Sequence, residues 1–291
     1  MSMSEPVAAW SYWSAPAKIN LFLHVTGRRA DGYHELETLF RIVDWCDRIS
    51  IAPTDDGRIE RVGGDPRIAA ESDLAVRAAR LLRDACGVRA GARLVVDKRL
   101  PMGGGLGGGS SDAATVLVAL DRIWRTGLST TALCELGARL GADVPVFVLG
   151  RDAWATGIGE KLEPIDLPAA HYVIIDPGVA VATGPVFQSP ELTRDTAPIT
   201  ISGWLRGLRG RNDLEPPVLA RFPEVAAALA WLSARVPARM SGSGACVFAE
   251  VTDAVAAARI VAECPAPWRA HAVLATGRSA LLAEAQAYRP E

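Results

Sequence analysis

Residues 101–114 read Pro-Met-Gly-Gly-Gly-Leu-Gly-Gly-Gly-Ser-Ser-Asp-Ala-Ala, with six glycines in the seven positions 103–109. Glycine lets a backbone approach a ligand closely and adopt positive φ at little cost. A helical pattern follows at once, with Val116, Leu117, Leu120, Ile123 and Trp124 on one face. Free N–H groups at a helix start, together with the helix dipole, attract anions. Pro101, Met102, Gly103, Gly104, Gly105, Leu106, Gly107, Gly108, Gly109, Ser110 and Ser111 therefore read as a cradle for a di- or triphosphate. The hydroxyls of Ser110 and Ser111 are candidate ligands for phosphate or a magnesium ion. A flexible linker is the alternative, but linkers seldom separate a strand from a strongly amphipathic helix.

Other phosphate loops fit less well. No Gly-Lys pair occurs in the chain, so the G-x-x-x-x-G-K-[ST] loop is excluded. Gly103, Gly105 and Gly108 satisfy the dinucleotide pattern, but six glycines in seven satisfy many patterns. Pro101 also interrupts the strand that should run into the first glycine, and residues 20 further on lie in or just after a helix. Three smaller signals remain. Lys18 and Asn20 share one parity of an alternating run, facing either a site or solvent. Asp143 follows Gly141 and precedes Pro145 at an expected helix exit, as a site residue or a local cap. The run Ser241-Gly242-Ser243-Gly244 is a tight turn, functional or plain.

The elements that must position these residues are legible in outline. Ala17, Ile19, Leu21, Leu23 and Val25 alternate with Lys18, Asn20, Phe22, His24 and Thr26, the period of a strand with one apolar face. Residues 1–14 read as a loose lead-in. Strands are expected near 36–42, 48–51, 92–97, 245–250 and 273–276. Helices are expected over 72–86 with Ser72 as cap and Gly87 as stop, from Ser110 or Ser111 onward, and over 129–140, 223–236, 253–263 and 279–287. Residues 188–217, rich in Pro, Gly and Arg, read as loops with short helices. The texture changes after 152, so an α+β protein of two lobes is expected, 1–153 and 154–291.

Bulk properties narrow the function classes. A 291-residue chain with 49% hydrophobic and 22% charged residues can bury a sizeable core. A net charge of −2 gives no general pull toward nucleic acid or an anionic membrane, so neither is expected as a partner. Five widely spaced cysteines without a C-x-x-C pair argue against a disulfide framework or zinc site and suit a cytoplasmic protein. Residues 1–13 lack a signal-peptide pattern, and no apolar run approaches the roughly 20 residues of a membrane span.

Three motifs together resemble a known superfamily. Pro16-Ala17-Lys18-Ile19-Asn20-Leu21, the glycine loop and Met240-Ser241-Gly242-Ser243-Gly244-Ala245 are similar, in order and spacing, to the motifs of the galactokinase, homoserine kinase, mevalonate kinase and phosphomevalonate kinase (GHMP) superfamily. The run Gly-Arg-Arg-Ala-Asp-Gly-Tyr-His-Glu-Leu-Glu-Thr over 27–38 and the doubled triple glycine resemble the diphosphocytidyl-methylerythritol kinases within it. The resemblance covers about residues 15–281.

It implies a ribosomal-protein-S5-domain-2-like N-terminal lobe that binds ATP, a C-terminal ferredoxin-like lobe, and an active site between them. It implies Lys18 and Asp143 as the catalytic pair, with Lys98 and the glycine loop at the nucleotide and Mg2+ near Ser110 or Ser111. The acceptor is a cytidine-linked small molecule. Tyr33 and Phe187 would sandwich its cytosine, His34 would hydrogen-bond the base, and Asn20 and Thr183 would meet the rest of it. By resemblance the enzyme is a monomer or weak homodimer. Many relatives carry asparagine where this chain has Asp73 and Asp112, which alters the donors near the adenine. A mevalonate- or homoserine-type kinase, a non-catalytic module and a dehydrogenase are the alternatives. Tyr33, His34 and Phe187 distinguish the first, the intact Lys18 and Asp143 the second, and NAD binding the third.

Overall fold

A computed structural model describes residues 10–289. The chain begins with two long antiparallel strands, β1 (Ser11–Arg28) and β2 (His34–Thr54), then β3 (Ile59–Gly63), α1 (Leu74–Cys86) and β4 (Gly91–Asp97). The helices α2 (Gly108–Trp124), α3 (Thr130–Ala138) and α4 (Val144–Leu149) follow, then β5 (Ala153–Thr156) and β6 (Lys161–Pro164). The second half runs β7 (Ala170–Asp176), α5 (Thr183–Phe187), α6 (Ile201–Leu205), α7 (Glu215–Arg221), α8 (Pro223–Ser233), β8 (Ala238–Met240), β9 (Val247–Val251), α9 (Ala254–Glu263), β10 (Arg269–Ala275) and α10 (Ala280–Ala287). No helix among the described residues is long and apolar enough to cross a membrane.

Two sheets organise these elements. The first has the order β3-β4-β2-β5-β6, with β1 also paired to β2. Its core joins Ile42, Ile49 and Leu94 to helical residues such as Val76, Leu82, Val116 and Phe147. The second has the order β10-β7-β9-β8, with every neighbouring pair antiparallel. Counted within this half it is a β-α-β-β-α-β unit, the ferredoxin-like arrangement. The expected division at 153 cuts the first sheet, which continues through β5 and β6 to Pro164. The change of texture after 152 begins with the short strands β5 and β6, which still belong to the first sheet. The chain also returns at its end, because Leu281 and Ala285 of α10 join the first core.

β1 serves both halves. Residues 11–14, expected to be a loose lead-in, pair with Arg48–Ile51, and Trp13 is 1% exposed. Farther along the strand, Leu23 and Val25 pack with Val173, Ile175 and Leu214 of the second core. Two irregularities decide which side chains face the helices and the cleft. The register shifts between Pro16 and Ala17, and again between Asn20 and Leu23. Each shift exchanges odd for even positions on that face. Trp13 and Ala15 give way to Lys18 and Asn20, which give way to Leu23. Unbroken alternation, as expected from the sequence, would have grouped Lys18 and Asn20 with Phe22 and His24. Phe22 instead packs on Trp154 and Trp204.

Two helix caps also differ from expectation. Asp73 rather than Ser72 caps α1, its carboxylate accepting the N–H of Ala75. Gly107, not a serine, precedes α2 at φ 74°, and Ser110 and Ser111 lie inside the first turn. Gly87 and Ser129 take the places expected of them, closing α1 and opening α3.

Candidate active site

A cavity of about 550 Å3 lies between the lobes. Its walls come from β1, β2, the 101–110 loop, Asp143, α5 and the turn at Gly242 and Ser243. The glycine loop turns its carbonyls toward protein. Gly103 O accepts from the N–H groups of Val181 and Ala245, Gly104 O from that of Cys246, and Leu106 O from that of Lys18. Gly105 O accepts from Lys18 Nζ at 3.1 Å and from Ser241 Oγ at 3.1 Å. The first-turn N–H groups of α2, at Gly108, Gly109 and Ser110, have no intrahelical partner and stand at the cavity wall.

Two glycines are required sterically. A Cβ on Gly105 (φ 73°) would stand 2.1 Å from Ser241 O. One on Gly107 (φ 74°) would meet the Phe147 ring at 2.7 Å. The loop is thus packed between Phe147 below and the 241–244 turn above, in the second half of the chain.

Lys18 is buried at 3% exposure. Its ammonium donates to Asn20 Oδ1 at 2.6 Å and stands 3.5 Å from Asp143 Oδ2. Asn20 is held in turn, because its Nδ2 donates to Thr38 Oγ1 at 2.8 Å and its backbone N–H to Ser241 Oγ at 3.3 Å. Neither side chain faces bulk solvent. Asp143 occupies the position before α4, at its start rather than a helix exit, and it makes no side-chain cap there. About a third of its side chain is exposed to the cavity and solvent.

Lys98 does line the cavity, but it is not a free cation. Its ammonium bonds to Asp47 and, at 2.7 Å, to Asp112. Asp47 is anchored further by the N–H groups of Arg99 (2.5 Å) and Leu100 (2.7 Å). Burial acts to lower the Lys98 pKa, yet the charges of Asp112 and Asp47 outweigh it and raise the value. Burial likewise pushes the Asp112 carboxyl up to about 7, against the pull of Lys98 and with the help of Asp47. Asp73 pairs with Arg61 at 2.7 Å beside an apolar stretch of wall made by Ile68, Leu74 and Val96. Asp73 and Asp112 thus each pair with a neighbouring cation.

The serines differ from each other. Ser110 is at the cavity wall, whereas Ser111 is 0% exposed and its hydroxyl has no hydrogen-bond partner. At the opposite end, Phe187 and Thr183 line the cavity, with Thr183 Oγ1 2.8 Å from Ser243 Oγ. His34 stacks on Phe187, ring centroids 5.2 Å apart, while Tyr33 is 61% exposed. The sandwich of Tyr33 and Phe187 is therefore not preformed, because the imidazole occupies the face of Phe187.

Several contributing residues carried no signal in the sequence. Thr38 braces Asn20 from β2. Asn212, inside the segment read as loops, donates from Nδ2 to Met240 O (2.9 Å) and Gly242 O (2.8 Å) and fixes the turn above Lys18. The same segment is tied to β1, as Leu23 N–H donates to Arg211 O and Asp213 N–H to Leu23 O. No one-dimensional pattern links residues 20, 38 and 212.

Comparison with known proteins agrees with this architecture. Residues 73–151 match the GHMP kinases N terminal domain and residues 200–270 the GHMP kinases C terminal domain. The chain is 57% identical to 4-diphosphocytidyl-2-C-methyl-D-erythritol kinase of Aromatoleum aromaticum, over 88% of this chain and 90% of that one. It is 54% identical to the enzyme of the same name from Halorhodospira halophila, over 95% and 98%. A crystal structure of 4-(cytidine 5'-diphospho)-2C-methyl-D-erythritol kinase superposes with a TM-score of 0.79 at 37% identity, covering 92% of this chain and all of that one. Homoserine kinase from Cytophaga hutchinsonii shares the fold at a TM-score of 0.69 and 19% identity, over 96% of this chain and 98% of that one. The chain belongs to the 4-diphosphocytidyl-2-C-methyl-D-erythritol kinase family of the GHMP superfamily.

Proposed function

We propose that this protein transfers the γ-phosphoryl group of ATP to the 2-hydroxyl of 4-diphosphocytidyl-2-C-methyl-D-erythritol, giving the 2-phosphate and ADP. This is a step of the methylerythritol phosphate route to isoprenoid precursors. The observation that carries the reading is the Lys18 ammonium, 3.5 Å from the Asp143 carboxylate and 3.1 Å from Gly105 O of the glycine loop. A positive charge and a base then stand together where a phosphate cradle ends.

The division of labour follows from chemistry. The first lobe holds the nucleotide, its phosphates on the 103–110 amides and its base against Ile68, Leu74 and Val96. The second lobe contributes Thr183 and Phe187 to the acceptor end, with His34 beside them. Phosphoryl transfer passes through a loose transition state, so positioning and charge compensation matter more than covalent work. Asp143 accepts the hydroxyl proton as it becomes acidic. Lys18 orients Asp143 and offsets charge on the transferred group, while Asn20 holds the ammonium and meets the acceptor. Lys98, spent on two carboxylates, shapes the nucleotide wall more than it binds phosphate.

The residues fit a magnesium ion carried in with ATP. No group of three or more His, Cys, Asp or Glu able to hold a metal occurs among the described residues. Such an ion takes most of its ligands from phosphate oxygens and water, needing one or two protein oxygens. The Ser110 hydroxyl is at the wall for this, and the ion would neutralise charge between the β and γ phosphates.

The test is ADP release with Mg-ATP and the cytidyl acceptor, beside mevalonate and homoserine. Turnover with the cytidyl compound alone is expected. Turnover with mevalonate or homoserine, and none with the cytidyl compound, would overturn the assignment.

A further inference from the structure

Arg194 lies in the segment that the sequence marks only as loop, yet its guanidinium makes four hydrogen bonds around the acceptor end. Nε donates to His34 Nε2 at 3.1 Å and Nη1 to Leu192 O at 2.9 Å. Nη2 donates to Phe187 O at 3.1 Å and Ser189 O at 2.7 Å. One rigid, permanently charged fork therefore holds both His34 and the residue on which its ring stacks. Lysine, a single point of donors, cannot reproduce the set.

The bond to His34 has a chemical consequence. A neutral imidazole carries one N–H, and here Nε2 is the acceptor, so the proton sits on Nδ1. A free imidazole exchanges between tautomers and rotates. Arg194 removes both freedoms, since an N–H aimed at Nε2 leaves no room for a second proton there. Burial first, then the nearby charges of Arg194 and Arg28, lower the His34 pKa. Both guanidiniums disfavour a second positive charge on the ring and so favour the neutral imidazole.

We propose that Arg194 is a positioning residue that sets base specificity, fixing His34 as its Nδ1–H tautomer against Phe187 so that the acceptor end offers the base one fixed N–H donor. This rests on the cytidyl acceptor proposed above. A fixed donor suits cytosine, whose N3 and O2 both accept. Facing the N3 edge, the donor opposes uracil, whose N3 carries a proton and cannot accept. The arginine itself touches neither reacting group, so it acts through His34 and Phe187.

The experiment combines spectroscopy with binding. In 15N-labelled wild-type protein, imidazole correlation spectra assigned with His34→Gln should show His34 protonated on Nδ1 and bare on Nε2. In Arg194→Met the ring should show mixed tautomers. Loss of one fixed hydrogen bond should raise the acceptor KM and the cytidine diphosphate Kd about tenfold, at kcat within about twofold, and should erase the preference over uridine diphosphate. The variant should also gain a pH dependence. With the like charge gone, burial and Arg28 still hold the His34 pKa below its ordinary value, but less far, so it rises. Below it the imidazolium always carries Nδ1–H, so cytidine diphosphate binding improves as pH falls, relative to the wild type. Arg194→Lys should recover part of the affinity and guards against misfolding of the methionine variant. If cytidine diphosphate fails to bind the wild type, the cytidyl-kinase reading itself falls. If it binds wild type and variant alike, if kcat falls at constant KM, or if wild-type His34 carries its proton on Nε2, the role given to Arg194 is wrong and the kinase reading stands.

Discussion

Replacing Lys18 and Asp143, singly and together, separates their chemistry from their structural cost. Asp143 contacts Lys18 at 3.5 Å, is about one-third exposed and caps no helix. Asp143→Asn keeps the shape and leaves the buried Lys18 ammonium its two acceptors, Asn20 Oδ1 and Gly105 O, so it should cost about 1 kcal/mol of stability. Removing a general base slows catalysis by about 10²–10⁴-fold, or about 3–5 kcal/mol of transition-state stabilisation. Lys18→Met keeps the stem but strips a donor from two acceptors. Gly105 O still accepts from Ser241 Oγ, so only Asn20 Oδ1 is left unpaired and buried. That orphan costs about 1–3 kcal/mol. Lys18→Met should thus lose both stability and turnover, whereas Asp143→Asn loses turnover alone. Because the two side chains act as one unit, the double variant should be about as slow as the worse single one rather than the product of both. The assays are urea denaturation and single-turnover phosphoryl transfer under saturating substrates. Asp143→Asn within tenfold of wild type, or a double variant slowed by the full product, would show that the pair does not work as one unit.

Two further substitutions test the scaffold. Gly105→Ala places a Cβ 2.1 Å from Ser241 O at a φ of 73°. Left-handed backbone costs about 1–2 kcal/mol and overpacking about 1–3, so a loss of about 2–5 kcal/mol is expected in denaturation, with weaker binding of a non-hydrolysable ATP analogue. An unchanged midpoint would mean the loop and the 241–244 turn are not packed together. Asn212→Asp exchanges two donated hydrogen bonds for a carboxylate oxygen facing Met240 O and Gly242 O. Here kcat should fall with both KM values within about twofold, along with a loss of about 2–6 kcal/mol of stability. Retention of full kcat would show that the turn above Lys18 holds itself.

The amino-acid sequence by itself marked the glycine-rich loop between strand and helix. Only glycine tolerates the crowding and positive φ of positions 103, 105 and 107, so that run is legible without a structure. The sequence also marked the α+β class, the stops and starts at Gly87 and Ser129, and, through three ordered motifs, the family. Tertiary structure alone decided what each polar residue faces. Two register shifts in β1 turn Lys18 and Asn20 into the cleft, and a period-two pattern cannot reveal shifts set by the partner strand. The lobe boundary moved past 153 because β5 and β6 extend the first sheet, β5 pairing with residues of β2 more than a hundred positions earlier. Thr38, Arg194 and Asn212 were invisible for the same reason. Each acts through hydrogen bonds to residues far away in the chain, and such bonds leave no periodic trace in sequence. Local steric demand is written residue by residue, whereas partnership across the cleft exists only once both halves have folded around β1.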